Sequence, residues 1–429
     1  MDISYVESTP LLKVSDMAEN LIGSEIIRLA GEVKKKISEG EKIFNFTIGD
    51  FDPEIFPIPE ELKNEIIAAY QNGETNYPAA NGIPELRKAV SRYLHTRGGL
   101  EFSEDQILIS GGARPLIYSF FQAVIDPGDS VVFAVPSWNN NHYCHLSRAK
   151  KIVVETSPKN NFMPTVDDLK PYIHHATVIA LCSPQNPTGT TFSRIQLEKI
   201  CELILEENKK RGEYKKPVYL MYDQIYWQLT FGSTVHFDPV SLCPEMKNYT
   251  VYIDGISKAF AATGVRVGWT FGPQKVVDKM RTILSHIGAW SPKAEQVATA
   301  KFLMNDTAVD KYLTNFKNEI NTRLNAFYSG FLSLKEEGLP VNIIAPQAAM
   351  YLTVQINIEG KKKETGEVIS TAEEITDYLL NEAKIALVPF SAFGAQINSS
   401  WFRLSVGTAK MSDIEGFFKN LRQALSKLS

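Results

Sequence analysis

The sequence is poor in several things, and each shortage closes a class of function. Cysteine comes first: 429 residues hold only four, at Cys144, Cys182, Cys201 and Cys243. None forms a Cys-x-x-Cys pair, so neither a thiolate metal centre nor a disulfide framework is expected, and no metal is assigned. No stretch approaches the ~20 consecutive apolar residues of a membrane-spanning helix. Met1–Asp16 carries acidic residues and no apolar core of the kind that opens a secretory leader, so the expected location is the cytoplasm. Excess charge is missing as well: 45 Lys and Arg against 49 Asp and Glu leave a net −4. That balance offers no general attraction to nucleic acid or to an anionic membrane, although a local basic pocket for one phosphate needs only a few donors. The Gly-x-Gly-x-x-Gly fingerprint is absent, which disfavours a dinucleotide relative to a single phosphate. There is no internal repeat and no low-complexity tract.

What is present is a globular composition, 44% apolar and 22% charged, on a chain long enough for one large unit or two domains. Short apolar runs at Ile107–Ser110, Val131–Val135, Ile152–Glu155, Val178–Cys182, Val218–Asp223, Thr250–Asp254 and Val267–Phe271 read as strands. Most are continuous rather than alternating, as expected when both faces of a sheet are covered. Helical patterns such as Gln196–Glu207 separate several of them. The order implies an α/β fold with a mostly parallel sheet flanked by helices. Beyond about Phe331 an alternating strand at Tyr351–Asn357, a helix at Glu373–Ala383, two short strands and an amphipathic helix at Ile414–Leu428 suggest a smaller α+β domain. The helix expected at Glu25–Ile37 is assigned to it too. The expected division is a large domain over 49–330 and a small one from 1–48 and 331–429.

The chemistry-bearing residues fall at or just after strand ends, where open parallel sheets bind ligands. Asn186-Pro187-Thr188-Gly189 follows one strand, Asp223-Gln224-Ile225-Tyr226 ends the next, and Ser257-Lys258 follows another, with Arg266 eight residues on (266 − 258 = 8). A lone lysine is usually a solvated surface group. Lys258 instead follows an apolar strand and precedes a run of small residues, a setting that desolvates an amine and frees it to attack a carbonyl. Asp223 alone reads as a turn or helix cap; its functional alternative is a carboxylate that keeps a pyridine-type nitrogen protonated. Tyr226 and Asn186 are placed to hydrogen-bond the 3-oxygen of such a ring. Arg266 and Ser257 can grip a phosphate, Arg through a forked, charge-assisted pair. Ser110-Gly111-Gly112-Ala113-Arg114 opens a helix over Leu116–Ile125, where backbone N–H groups approach an anion. Trp138, just past a strand, is either a core aromatic or a flat face for a ring.

Taken together, these motifs resemble the class I aminotransferases, aspartate-aminotransferase-like enzymes of the pyridoxal-phosphate (PLP) fold type I, over roughly Phe46 to Gly407. Each motif alone is weak; their joint order and spacing are specific. The resemblance implies PLP as cofactor, Lys258 as its Schiff-base lysine, Asp223 as partner of the pyridinium nitrogen, and Asn186 and Tyr226 as donors to the ring oxygen. It further implies a phosphate cup of Gly112, Ala113, Arg114, Ser257 and Arg266, with Trp138 stacked on the ring. Tyr77, in Asn76-Tyr77-Pro78, matches a tyrosine that reaches the neighbouring subunit's phosphate, so a homodimer is implied. Gly49 matches a hinge glycine beside the substrate carboxylate, and Arg403, in Phe402-Arg403-Leu404-Ser405, the arginine that clamps that carboxylate. Trp138 and Asn186 would touch substrate as well.

The implied activity moves an amino group between an L-amino acid and a 2-oxo acid, with 2-oxoglutarate an expected acceptor, in two half-reactions for which Lys258 is the general base and acid. Departures bear on the substrate. Ala113 stands where some acidic-substrate members carry a cation, and Ser285-His286 precedes Ala289-Trp290-Ser291-Pro292 where others supply an arginine, leaving Arg114 or His286 as substitutes. A PLP lyase or synthase on the same fold would carry the same lysine and cup. A non-enzymatic PLP-binding module of a regulator would need a DNA-binding domain, for which the roughly 20 residues ahead of the first helix are too few.

Overall fold

The computed structural model describes residues 13–23 and 25–429; most of the Met1–Asp16 segment, on which the reading of no leader rested, lies outside them. The expected parallel sheet is there, with seven strands: β1 (Ile107–Ser110), β2 (Ser130–Val135), β3 (Lys150–Glu155), β4 (Ala176–Cys182), β5 (Tyr219–Asp223), β6 (Thr250–Gly255) and β7 (Gly268–Phe271). Their spatial order is β1-β7-β6-β5-β4-β2-β3. The pairs from β6 through β3 are parallel. β7 runs against both of its neighbours, β1 and β6.

The continuous apolar runs have their cause in two cores, one on each face of this sheet. Val132, Ile179, Leu220 and Tyr222 point into one, with Leu86, Tyr93 and Trp269. Val131, Phe133, Val178 and Met221 point into the other, with Leu116, Phe120 and Phe121 of the helix Ala113–Val124. Successive side chains of a strand go to opposite faces, so a strand covered on both sides is apolar at nearly every position.

A second sheet contains β8 (Val341–Ile343), β9 (Tyr351–Ile356), β10 (Val388–Pro389) and β11 (Trp401–Ser405) in the order β10-β11-β9-β8, antiparallel throughout. Beside it Phe44–Asn45 pairs in parallel with Ile385–Ala386. The helix Glu25–Ser38 buries Leu29 and Val33 against Leu380 and Ala386, on the side of the second sheet. The helix expected at Glu373–Ala383 is α-helical only over Ala372–Tyr378 and widens into a π turn at Leu379–Ala383, where Leu379, Leu380 and Ala383 are all buried.

One helix joins the two sheets. Asp306–Glu336 runs for 31 residues. Ala308, Val309 and Leu313 pack into the core of the first sheet, while Phe316, Ile320, Leu324, Phe327, Phe331 and Leu334 belong to the core of the second.

Candidate active site

The chain order reverses direction between β2 and β4, and at such a switch point adjacent connections part and leave a crevice beyond the carboxyl ends of the strands. Trp138 follows β2, Asn186 follows β4, Asp223 ends β5, and Ser257 and Lys258 sit in the single turn Ile256–Ala259 that follows β6. Gly112 caps the helix that follows β1. Arg266 reaches the same end by another route: β7 is antiparallel, with Gly268 opposite Ser110 and Gly255, so the residues before β7 emerge where its neighbours finish.

A cavity of about 850 Å³ gathers these groups. Its walls include Lys258, Asp223, Tyr226, Asn186 and Trp138; at one end stand Ala113, Arg114, Ser257 and Arg266, and at the other Gly49 and Arg403. Two expected residues do not line it. Gly112 lies directly behind Arg266, with φ 98°, and a Cβ there would collide with the Arg266 guanidinium. Tyr77 is 82% exposed, its ring edge-on to Trp290 at 5.2 Å between centroids. His286, on the helix Gln274–Ile287, is not among the lining residues.

The amine of Lys258 donates to the Gly49 carbonyl oxygen at 2.6 Å. Burial is the main cause that brings its pKa down to about 8; the charges of Arg403, Arg114 and Arg266 push the same way and Asp50 opposes them. Asp223 moves in the other direction, to about 6, because burial disfavours its anion; the Ile225 N–H, at 3.1 Å from Oδ1, offsets part of that. Both shifts favour neutral forms, because burial penalises either charge.

At the phosphate-sized end, Arg266 donates to the carbonyls of Thr263 and Gly111, both at 2.7 Å. Burial, and after it the neighbouring Arg114 charge, lowers the Arg266 pKa. Arg114 lies over the Trp138 ring at 4.7 Å. Two guanidinium groups that repel each other beside a helix N-terminus make a site for a dianion.

At the other end Arg403, on β11, is 2% exposed. It donates to Asn186 Oδ1 at 2.9 Å and to the Thr47 carbonyl at 2.6 Å, and lies against the rings of Tyr351 at 4.7 Å and Phe393 at 5.0 Å. Its Nε is buried without a partner. Tyr226 shares a hydrogen bond of 2.8 Å with Tyr351 through their hydroxyls. Sequence reasoning did not single out Tyr351 or Asp50, whose Oδ1 accepts from Thr263 at 2.7 Å. Asp50 directly follows Gly49, which the resemblance had singled out. Tyr351 had no signal beyond opening an alternating strand.

The donor set fits a pyridoxal phosphate: a desolvated amine, a carboxylate on the adjacent strand, two hydroxyl or amide donors, an aromatic face and a doubly cationic cup. Fold and site thus define a PLP enzyme with the aspartate-aminotransferase-like architecture of fold type I. More narrowly, the chain belongs to the family described as aminotransferase class I and II, whose model matches residues 41–417, and is a PLP-dependent aminotransferase. Its relatives include the aspartate aminotransferase of Rhizobium meliloti (strain 1021), 27% identical with 95% of this chain and 94% of the relative covered. A probable aspartate/prephenate aminotransferase of Rickettsia typhi is 29% identical, with 94% and 96% covered. The crystal structure of an aspartate aminotransferase from Rhizobium meliloti superposes with a TM-score of 0.89 at 25% identity, covering 97% of this chain and all of the other. Among the described residues no helix is long and apolar enough to cross a membrane, and no group of His, Cys, Asp or Glu is arranged to hold a metal.

Proposed function

We propose that this aminotransferase works through Lys258 and Asp223, acting on an L-amino acid and a 2-oxo acid, with 2-oxoglutarate an acceptor. The observation that carries this reading is that one cavity is lined by both side chains, from the ends of the neighbouring strands β5 and β6. Lys258 would hold the aldehyde of the cofactor covalently, Asp223 its ring nitrogen, and Asn186 and Tyr226 its ring oxygen. Ser257, Arg266, Arg114 and the backbone of Gly112 and Ala113 would hold its phosphate, with Trp138 against the ring. When bound, the cofactor supplies an electron sink for the substrate α-carbon.

The rest falls to the side chains. Arg403 binds the substrate α-carboxylate in a planar, charge-assisted grip, oriented by Asn186 and by the two aromatic rings on its faces. Gly49 gives that carboxylate backbone room: a Cβ there would stand 3.4 Å from one Arg403 nitrogen and 3.1 Å from the Tyr351 hydroxyl. Lys258 would take the proton from the substrate α-carbon, and its lowered pKa keeps a base near neutral pH. Asp223 would keep the ring nitrogen of the cofactor protonated, because a carboxylate beside it favours the charged form. The second sheet, with 1–48 and 331–429, forms the smaller domain and closes over the substrate to keep water out. Tyr77 completes the phosphate site of a second copy, making the working unit a homodimer, and the enzyme acts in the cytoplasm.

Lys258→Ala tests the assignment. Borohydride reduction followed by mass spectrometry should find cofactor fixed to the wild-type chain and none fixed to the variant; fixation at another lysine in the variant would refute it. The variant should also lose roughly 10²- to 10⁴-fold in half-reaction rate, the usual worth of a positioned acid–base group.

A further inference from the structure

The cavity has room for more than cofactor and an α-amino acid backbone, and its remaining wall indicates which side chain it takes. Among the described residues, four cationic side chains line it: Arg114, Lys258, Arg266 and Arg403. Lys258 is the reacting amine. Arg266 and Arg114 flank the N-terminus of the helix Ala113–Val124, close enough for one charge to disturb the other, and a single dianion neutralises both. Arg403 has one buried unpartnered nitrogen and serves the α-carboxylate. No cation is left for a second carboxylate.

Beyond its hydrogen-bonded partners Asn186 and Thr47, Arg403 stands beside an apolar cluster. Phe393, on one face of its guanidinium, belongs to a cluster with Phe162, Val388, Phe390 and Trp401, and Ile26 and Trp138 pack against it. Ile26, Ala30 and Ile48 also line the cavity. The further polar groups that line the cavity supply no cation: Ser137, whose hydroxyl accepts from the Asn140 amide at 3.2 Å, and Asn139 are neutral, and Asp50 is acidic. A substrate with its carboxylate on Arg403 and its amine at Lys258 presents its side chain to this wall. An unpaired carboxylate would be desolvated there without compensation, whereas an apolar group gains by burial.

We infer that the enzyme selects amino acids with uncharged, largely apolar side chains over the dicarboxylic ones, and that Ile26 sets this preference. The acceptor meets the same wall, so 2-oxoglutarate should be used less well than an uncharged 2-oxo acid. The inference rests on the roles proposed for Lys258, Asp223 and Arg403, and it differs from what the names of the aspartate aminotransferase relatives would suggest.

The test uses holoenzyme and two readouts. In single-donor half-reactions followed by cofactor absorbance, the best of L-phenylalanine, L-leucine and L-methionine should exceed both L-aspartate and L-glutamate by about tenfold or more in rate over substrate concentration. In calorimetry, non-reacting 3-phenylpropanoate should bind at least about tenfold tighter than succinate. Ile26→Arg, which leaves the residues of the proposed cup and clamp themselves unchanged, should move the aspartate-to-phenylalanine ratio up by about tenfold or more. Aspartate or glutamate matching the neutral donors in the wild type, or succinate binding as tightly as 3-phenylpropanoate, overturns the inference, whether the missing cation comes from Arg114 or from a second copy. Failure of every donor while 3-phenylpropanoate still binds tighter would strike the catalytic roles and leave the substrate class standing.

Discussion

At the scale of single residues the site is governed by what burial does to charge. Lys258 releases its proton near pH 8 rather than 10.5, so the free amine becomes the major form as pH rises through 8. Uptake of cofactor by the apo-protein should accelerate from about pH 7 through 8 and level off only above about pH 9, where the reacting species is nearly all present. An ordinary lysine would show a rate still climbing past pH 9, and stopped-flow absorbance separates the two profiles. Arg403 is a different case, since the proposed clamp would meet the substrate carboxylate through forked hydrogen bonds. Arg403→Ala should raise KM for the amino donor by roughly 10- to 100-fold, corresponding to about 1.5–3 kcal/mol for hydrogen bonds to a charged group, and leave cofactor content unchanged. Loss of cofactor in that variant would show that the arginine serves the other end of the cavity.

At the scale of elements, the junction of β1 with the helix Ala113–Val124 is the tightest part of the design. Gly112 needs φ 98° and sits under Arg266, so Gly112→Ala brings backbone strain of about 1–2 kcal/mol and displaces a guanidinium from the cup. The variant should release cofactor on dialysis at concentrations where the wild type keeps it, with the far-ultraviolet circular dichroism unaltered. How far such elements can be read from sequence depends on where their partners lie. The strands of the large sheet were legible because double coverage leaves nearly unbroken apolar runs, and the residues after them because a parallel sheet puts its chemistry at the carboxyl ends. The reversed direction of β7 was not legible: Val267–Phe271 reads the same whichever way it runs, and only pairing with β1 and β6 decides. Tyr351 was missed for a related reason. Its contact with Tyr226 spans 125 positions, and no local pattern encodes a hydroxyl that meets another hydroxyl across two sheets. The π turn at Leu379–Ala383 was equally hidden, since its buried leucines suit an α-helix as well.

At the scale of the whole molecule, two features decide how the parts act together. The proposed crossing of Tyr77 into a second copy has a sharp consequence. Tyr77→Ala and Lys258→Ala should each be poorly active alone, yet mixing them under conditions that exchange subunits should restore activity, because one of the two sites in each hybrid then receives both native residues. Failure to complement, with hybrids demonstrated by native mass spectrometry, would place Tyr77 in its own subunit's site or in none. The second feature is the helix Asp306–Glu336. The proposed domain boundary at 330/331 falls inside it, and its buried side chains pass from one core to the other between Leu313 and Phe316. Motion of the smaller sheet must therefore bend or pivot this rod rather than swing on a loose linker. The helix Glu25–Ser38 has a consequence of another kind. Leu29 and Val33 anchor it to Leu380 and Ala386, while Ile26 and Ala30 look into the cavity, so the surface proposed to meet the substrate side chain is borne by a segment far in sequence from the proposed lysine, carboxylate and phosphate cup. On that proposal diet and chemistry are written in separate stretches of the gene, and a descendant of this enzyme could change what it consumes by altering two turns of helix while every reacting atom stays where it was.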